Sequence, residues 1–247
     1  VQRLYVAYFN RPADPVGLAA YEAMLPTDRE ATQAELLVIA EKYFSPSTEY
    51  TGNFEGKSDF QIVDQLYQNI FGREADVEGG IDWATKLTNG TMTVAELALQ
   101  LSYSAQLTDS DVVSARIEAA TAFTSGLDTT AEISGYNGTA AAAEGRSYLA
   151  QISGELPVTT AEITAAKDAA IANVDESITS AVNAGDAVAG SSFTLTTGID
   201  SLTGTAGNDS FSGTIGSAEP TITSGDSVTG AGGTDLFQIT STGTTGT

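Results

Sequence analysis

The sequence contains no cysteine and no histidine. Their absence excludes catalysis by a thiol, serine triads that depend on histidine, and zinc sites built from the usual ligands. It also excludes a secreted metalloprotease that holds its metal with a pair of histidines. A chain without cysteine is what we expect of a protein that is exported unfolded, because such a protein cannot form stray disulfides.

Basic residues are scarce, since 10 Lys and Arg stand against 32 Asp and Glu and give a formal net charge of −22. Such a chain repels nucleic acid and anionic lipid and attracts divalent cations, so we expect no nucleic-acid partner. The sequence lacks both a signal-peptide pattern in its first residues and an apolar run of the roughly 18 residues that span a bilayer, so we expect no direct membrane insertion. A glycosidase needs two carboxylates across a cleft, but among 32 acidic residues such pairs occur by chance and are no evidence for this activity. We therefore expect no enzyme activity.

One stretch of sequence occurs twice at an offset of 62 residues. LYVAYFNRPADPVGLAAYEAML at 4–25 aligns with LYQNIFGREADVEGGIDWATKL at 66–87. The identical pairs are Leu4/Leu66, Tyr5/Tyr67, Phe9/Phe71, Arg11/Arg73, Ala13/Ala75, Asp14/Asp76, Gly17/Gly79 and Leu25/Leu87, and Tyr21/Trp83 keeps an aromatic side chain. A match of this density predicts one structural unit that is used twice.

The unit predicts a helix, a tight turn that carries an arginine, and a second helix. Apolar residues at helical spacing indicate that the first helix is buried along one face. Asn10 and Gly72 stand where that helix ends in the left-handed conformation, which these residue types tolerate. Asp14 and Asp76 are placed to cap the next helix.

A third helix is predicted in each copy. In the first copy it lies near 31–44, and Thr32 with Glu35 has the spacing of a capping box, which Thr93 and Glu96 repeat in the second. The repeat units thus cover about 4–50 and 66–107, and residues 51–59 between them are predicted to form a loop.

Further helices are predicted over 110–184. DSDVVSARIEAATAFTSGL and AAAAEGRSYLAQISGEL are amphipathic, and a long Ala-rich segment follows that Thr160 and Glu162 open. We assign residues 1–187 to one α-helical domain.

Residues 188–247 change in composition to Gly, Thr, Ser and Asp, with short alternating stretches that predict strands. GIDSLTG at 198–204 is followed by GNDSFSG at 207–213, and GDSVTG at 225–230 is followed by GTDLFQI at 233–239. In both pairs the Asp residues are nine apart. A nine-residue period of Gly, Asp and one apolar residue is typical of a calcium-binding parallel β-roll, because glycine carbonyls and carboxylates are ligands that Ca²⁺ prefers. The predicted calcium ligands are Asp200, Asp209, Asp226 and Asp235, with Gly204, Gly207, Gly230 and Gly233.

An alternative stays open for these turns. Aligned on the full nine residues, GTAGNDSFS at 204–212 and GAGGTDLFQ at 230–238 replace the second glycine of the pattern with Thr or Ala. The same Gly and Asp residues also suit the turns of an ordinary β-solenoid that binds no cation.

Taken together, these motifs resemble known families. The doubled LYVAYFNRPADPVGL and LYQNIFGREADVEGG stretch resembles a helical repeat domain of unknown function that precedes many bacterial surface and RTX-type exported proteins. TLTTGIDSLTGTAGNDSFSG and GDSVTGAGGTDLF resemble the junction at which alphaproteobacterial S-layer proteins pass from a helical anchoring domain to a calcium-bound lattice domain. The resemblance implies type I secretion to the cell surface, a helical domain that binds the O-polysaccharide of lipopolysaccharide, and calcium-driven self-association into a two-dimensional lattice.

Candidate sugar-binding residues come from the repeat and from the exposed segments 45–60 and 88–92. Arginines can hydrogen-bond sugar hydroxyls and aromatic rings can stack on a sugar face. The simpler interpretation is that the arginines serve helix-end carbonyls and that the aromatic residues belong to the core. The candidates are Arg11, Arg73, Tyr21, Trp83, Tyr50 and Asn53.

The sequence therefore predicts a mainly α multi-helix N-terminal domain with an internal repeat, followed by the start of a β-solenoid or β-roll-like domain. The expected function is that of an S-layer structural protein. The alternative is the accessory N-terminal region of a large type I-secreted RTX-type adhesin or exoenzyme, whose activity lies elsewhere in the protein.

Overall fold

The computed structural model describes residues 1–186, 190–205, 207–216, 219–231 and 235–241. This part of the chain is mostly helical with a small C-terminal region of parallel strands, as the coarse fold class predicted. The helices are α1 (Gln2–Phe9), α2 (Pro15–Glu22), α3 (Gln33–Ile39), α4 (Thr48–Phe54), α5 (Asp59–Phe71), α6 (Val77–Thr88), α7 (Val94–Ser104), α8 (Leu107–Gly126), α9 (Thr130–Gly135), α10 (Gly138–Ala150), α11 (Thr160–Ala172) and α12 (Val174–Asp186). Within the described ranges, no helix is both long enough and apolar enough to cross a bilayer.

The chain forms two compact units. One consists of residues 1–127 and 145–177, and the other of residues 128–144 and 178–247. The first unit contains both copies of the repeat, and the second contains the strands. The division of the sequence into domains at residue 187 stays a prediction.

The predicted local structure of the repeat is confirmed. Asn10 and Gly72 end α1 and α5 with φ angles of 53° and 63°, in the left-handed region. The Asp14 carboxylate accepts the backbone N–H of Gly17, which caps α2, and Asp76 caps α6 in the same way. Both predicted capping boxes are formed, at Thr32/Glu35 and at Thr93/Glu96.

The segment between the copies is more ordered than predicted. Residues 51–54 belong to α4 rather than to a loop. The helix begins because the hydroxyl of Ser47 accepts the N–H of Tyr50, and it persists because Phe54 is buried at its last position. A π-helix (Ala40–Phe44) continues α3 directly and places Phe44 in the core.

The long Ala-rich helix was predicted as one element and is two. Asn173 interrupts it between α11 and α12, and its side chain donates to the carbonyl of Ala169. Asparagine competes for backbone hydrogen bonds in this way, which disfavours it inside helices. The residue that caps α11 is Thr159 and not Thr160, because the Thr159 hydroxyl accepts the N–H of Glu162.

The core of the first unit is built around α1. Seven of its eight residues are buried, so it is covered on nearly every side by α4, α5, α7 and α8. The largest fully buried apolar side chains of this core include Leu4, Tyr8, Phe44, Leu66, Ile70, Leu97, Phe123, Tyr148, Leu149 and Ile152.

The strands of the second unit form two parallel arrangements. β1 (Ser192–Thr194), β3 (Ser210–Ile215) and β5 (Leu236–Ser241) make a three-stranded sheet with β3 in the middle, and β2 (Ser201–Thr203) pairs with β4 (Ser227–Thr229). The register places Phe193, Phe211 and Phe237 side by side. Leu202 is likewise paired with Val228.

Candidate glycan and calcium sites

Arg11 lies in the tight turn after α1 and contacts both an aromatic ring and a carboxylate. Its guanidinium lies over the ring of Tyr5, 5.2 Å from the centroid. Its Nε and Nη2 donate to the two carboxylate oxygens of Glu49 at 2.8 and 2.7 Å. Its Nη1 donates to the carbonyl of Pro12 at 3.0 Å. Because bidentate pairs are strong and directional, Arg11 fixes the turn to α4.

Arg73 repeats this arrangement in the second copy. Its guanidinium lies 5.3 Å from the centroid of the Tyr67 ring, and its Nε and Nη2 donate to Asp109 at 3.1 and 2.7 Å. Its Nη1 donates to the carbonyl of Glu74. The hydrogen bond to Asp109 raises the pKa of Arg73. Each arginine thus donates to a carbonyl of its own turn and to a carboxylate 36 or 38 residues further along the chain.

The two repeated aromatic candidates are half-buried at the edge of the core. Tyr21 packs against Tyr5 and Phe44, with ring centroids 6.4 and 5.2 Å apart. In the second copy, Lys86 Nζ lies 3.9 Å from the centre of the Trp83 ring and covers part of one face. A sugar that stacked on Trp83 from that side would have to displace the lysine.

The remaining two candidates lie on α4. The ring of Tyr50 is 4.7 Å from that of Phe54 and 5.7 Å from that of Tyr8. The side-chain amide of Asn53 donates to the carbonyl of Tyr8 at 3.4 Å. These contacts place Tyr50 and Asn53 at the C-terminal end of α1, next to the turn that contains Arg11.

Four of the six sugar-binding candidates therefore fall into two equivalent groups. Arg11 and Tyr21 flank Tyr5 in the first copy, and Arg73 and Trp83 flank Tyr67 in the second. Burial raises the pKa of both tyrosines, and the Asp14 carboxylate adds to the shift at Tyr5. Only the first group is extended by residues of α4.

The predicted calcium ligands lie in turns that precede the strands. Asp209, just before β3, is buried, with 1% of its surface exposed. Its carboxylate accepts the backbone N–H groups of Ser191 and Thr205, both at 2.6 Å, and the hydroxyl of Thr205 at 3.0 Å. Burial opposes ionisation, but these hydrogen bonds outweigh it and lower the pKa of Asp209.

Asp200 and Asp226 repeat the pattern at β2 and β4. Asp226 accepts the N–H of Thr223 at 2.7 Å and that of Asp200 at 2.9 Å, and both bonds lower its pKa. Asp200 in turn accepts the N–H and hydroxyl of Thr196. At β5, Asp235 accepts the N–H of Asp209 at 2.9 Å.

The glycines of these turns border the carboxylates closely. A Cβ added at Gly204 would overlap with both Asp209 Oδ2 and the carbonyl oxygen of Gly230. Two hard oxygens therefore converge beside Gly204, which is a donor set that suits Ca²⁺. Gly207 donates its N–H to Thr205 Oγ1, and Gly233 lies outside the described residues. Within the described ranges no three acidic side chains form a metal-binding group, so a cation here would also need backbone carbonyls.

Comparison with known proteins gives one match. Residues 40–109 are similar to a family described as a domain of unknown function, DUF4214. The match begins at the π-helix and runs through the second copy of the repeat to Asp109, the partner of Arg73. No curated protein and no solved structure matches the chain.

Sequence reasoning missed the residue that links the two copies. Arg116 of α8 is buried, and its Nη2 donates to Asn10 Oδ1 at 2.6 Å while its Nη1 donates to the carbonyl of Ile152 at 2.7 Å. A Cβ at Gly72 would press against the same guanidinium. The signal was present, because Arg116 falls in helical register with Val112, Ala119 and Phe123 on the buried face of α8.

Proposed function

We propose that this chain is part of a cell-surface structural protein of the S-layer type. In this proposal the helical unit attaches the protein to the O-polysaccharide of lipopolysaccharide, and the strand-bearing unit assembles with calcium into a two-dimensional lattice. The protein is exported by type I secretion and has no catalytic role.

The observation that carries the proposal is the regular succession of turns and strands. The strands begin at residues 192, 201, 210, 227 and 236, and successive strands alternate between the two parallel arrangements. The spacings are nine residues except between β3 and β4, where they are 17. This succession favours the start of a β-solenoid, with one coil of 18 residues and one of 26 that carries an eight-residue insertion. Its apolar column is Phe193, Phe211 and Phe237.

Calcium belongs to the proposal because an acidic oxygen and a carbonyl oxygen converge beside Gly204. Asp209 and the carbonyl of Gly230 are the pair best placed to hold the ion, next to Gly204. A carboxylate has about four lone-pair positions, of which three on Asp209 accept the hydrogen bonds described above. When bound, calcium would supply positive charge between coils of a chain whose formal net charge is −22.

The anchoring role is supported by the doubled unit. Two equivalent arginine–aromatic groups on one helical body offer two similar binding positions, which suits a polymer of repeating sugars. The arginines are engaged by carboxylates, so the parts open to a sugar are the exposed edges of Tyr21, Trp83 and Tyr50.

The test is binding of the full 247-residue chain to smooth lipopolysaccharide and to rough lipopolysaccharide that lacks O-polysaccharide, with calcium throughout. The proposal expects binding to the smooth form alone. Trp83→Ala and Tyr21→Ala should weaken it, whereas Tyr103→Ala, which alters a half-exposed aromatic residue outside both groups, should not. Equal binding to both forms, or to neither, would overturn the anchoring role.

A further inference from the structure

Three Asp residues of the strand-bearing unit share one arrangement that the calcium proposal does not use. Each stands three or four residues after a threonine, in the pairs Thr196/Asp200, Thr205/Asp209 and Thr223/Asp226. In every pair the threonine donates to the carboxylate twice, once from its backbone N–H and once from its hydroxyl. The N–H distances are 2.6 to 2.7 Å and the hydroxyl distances are 3.0 to 3.1 Å.

The hydroxyl also joins the turn to itself. Thr196 Oγ1 accepts the N–H of Gly198 at 3.2 Å, and Thr205 Oγ1 accepts that of Gly207 at 3.1 Å. Each of these hydroxyls therefore donates to the carboxylate and accepts from the N–H of the glycine two residues later in the sequence. Hydrogen bonds therefore close the turns at Thr196 and Thr205.

The same carboxylates link neighbouring coils. Asp226 accepts the N–H of Asp200, 26 residues earlier, at 2.9 Å, and Asp209 accepts the N–H of Ser191 at 2.6 Å. The carboxylate that the threonine holds in place thus also accepts a backbone N–H from the preceding coil. A cation would supply the same restraint by electrostatic attraction.

We propose that Thr196, Thr205 and Thr223 act as positioning residues that close these turns in place of a cation, so that the turns fold without calcium. Calcium then binds to carboxylates whose orientation is already set, and binding is not coupled to folding of the turn. This inference concerns how the turns form, and it stands whether or not the ion proposed above is bound.

The test follows backbone amide hydrogen exchange by mass spectrometry in the full chain, with calcium and with a chelator. In the native protein, peptides covering 221–229 should take up deuterium equally slowly in both conditions. In Thr223→Val, which keeps the shape and loses the hydroxyl, exchange in chelator should be roughly 3- to 10-fold faster, the effect of one lost hydrogen bond. If calcium binds to these carboxylates as proposed above, adding it should restore slow exchange in that variant.

Two controls complete the experiment. Thr223→Ser restores the hydroxyl and should behave as the native protein. Thr229→Val makes the same substitution at an exposed strand position and should also behave as the native protein. The inference is overturned if the native turn loses protection in chelator as fully as the variant does, or if Thr223→Val exchanges like the native protein. Calorimetric titration with calcium separates the two proposals, because a protected turn that binds no calcium supports the threonine role and contradicts the calcium role.

Discussion

The side-chain amide of Asn69 donates a hydrogen bond of 2.8 Å to the carbonyl of Ala7, and these two residues occupy the same position in the two copies of the repeat. The equivalent helices α1 and α5 are therefore in direct contact at this point. Ala7 lies in the last turn of α1, where carbonyls have no intrahelical partner, so Asn69 also serves as a C-terminal cap. The duplicated sequence therefore folds as a pair and not as a string of independent units.

Replacing Asn69 with Ala should destabilise the protein. Asn69 is 1% exposed, and its loss leaves a buried carbonyl without this donor, which costs about 1–3 kcal/mol. Chemical denaturation measures the change in the free energy of unfolding. Gln100→Ala, an exposed position on α7, should stay within about 0.5 kcal/mol and serves as the control. Equal effects of the two substitutions would contradict the role given to Asn69.

Arg116 should be more sensitive than any surface arginine. Burial lowers its pKa to about 10, yet it remains charged at neutral pH and is held by an amide oxygen and a carbonyl. Arg116→Met removes both bonds, and since a hydrogen bond to a charged group contributes about 1.5–3 kcal/mol, the expected loss is at least about 2 kcal/mol. Arg116→Lys cannot span both acceptors and should recover only part of it. Thermal and denaturant unfolding measure the stability of both variants. A Met variant as stable as the native protein would contradict the stabilising role given to Arg116.

The two arginines of the repeat can be tested by a double-mutant cycle. Arg73 and Asp109 are 14% and 25% exposed at their side chains, so their bidentate pair is partly screened, and a coupling of about 1 kcal/mol is expected. Arg73→Ala, Asp109→Ala and the double variant give this value from denaturant unfolding. The matching cycle at Arg11 and Glu49 has the same bidentate geometry, but Glu49 also lies 3.5 Å from Arg146 Nη1, so this cycle is best measured in an Arg146→Ala background, where a similar value is expected. A coupling near zero in both would mean that the pairs do not hold the turns.

Local structure was the part of the fold most open to prediction, since it depends on neighbouring residues. The left-handed ends at Asn10 and Gly72 and the Asp14 cap follow from the chemistry of single side chains. The prediction failed where distant contacts decide the outcome. Residues 51–54 look like a loop because Gly52 and Asn53 disfavour helix, and Phe54 keeps them helical by packing into a core that the sequence does not display.

The candidate sites show the same division. The nine-residue period located the Asp turns, and the pairing of β2 with β4 and of β3 with β5 follows once strands alternate between sheets. The sequence analysis did not find the partners of Arg11 and Arg73, although Glu49 and Asp109 follow them in the sequence at nearly equal separations, 38 and 36 residues. Such a spacing becomes meaningful only when the fold shows that both segments pass the same turn.

Gly204 tests the close approach of the segments around Asp209 and Gly230. A Cβ at Gly204 would overlap with Asp209 Oδ2 and with the backbone of Gly230, so Gly204→Ala should displace one of these segments and increase hydrogen exchange at Thr205 and Asp209. Gly198 is the control, because it lies in the preceding turn, at the place that Gly207 takes in the next one. A Cβ at Gly198 would meet only the Thr196 hydroxyl, at an ordinary 3.5 Å. Gly198→Ala should leave exchange unchanged. If both variants behave alike, the segments around Gly204 and Gly230 are not packed as closely as the contacts indicate.

Acid should loosen the strand-bearing unit through Asp209 and Asp226. The pKa of each carboxyl is lower in the folded protein than its ordinary value of 3.8, so the charged form stabilises the fold. That stabilisation is fully present above the unfolded pKa and is lost as the pH falls below about 4 toward the folded pKa. Carbon-13 NMR of labelled aspartate carboxyls should show both groups titrating below pH 3.8, with the backbone amide signals of Ser191 and Thr223 shifting in the same range. Asp226→Asn removes that charge and should abolish the acid response at Thr223 while leaving Ser191 responsive. Titration of either carboxyl above pH 4 would contradict the hydrogen bonds assigned to it.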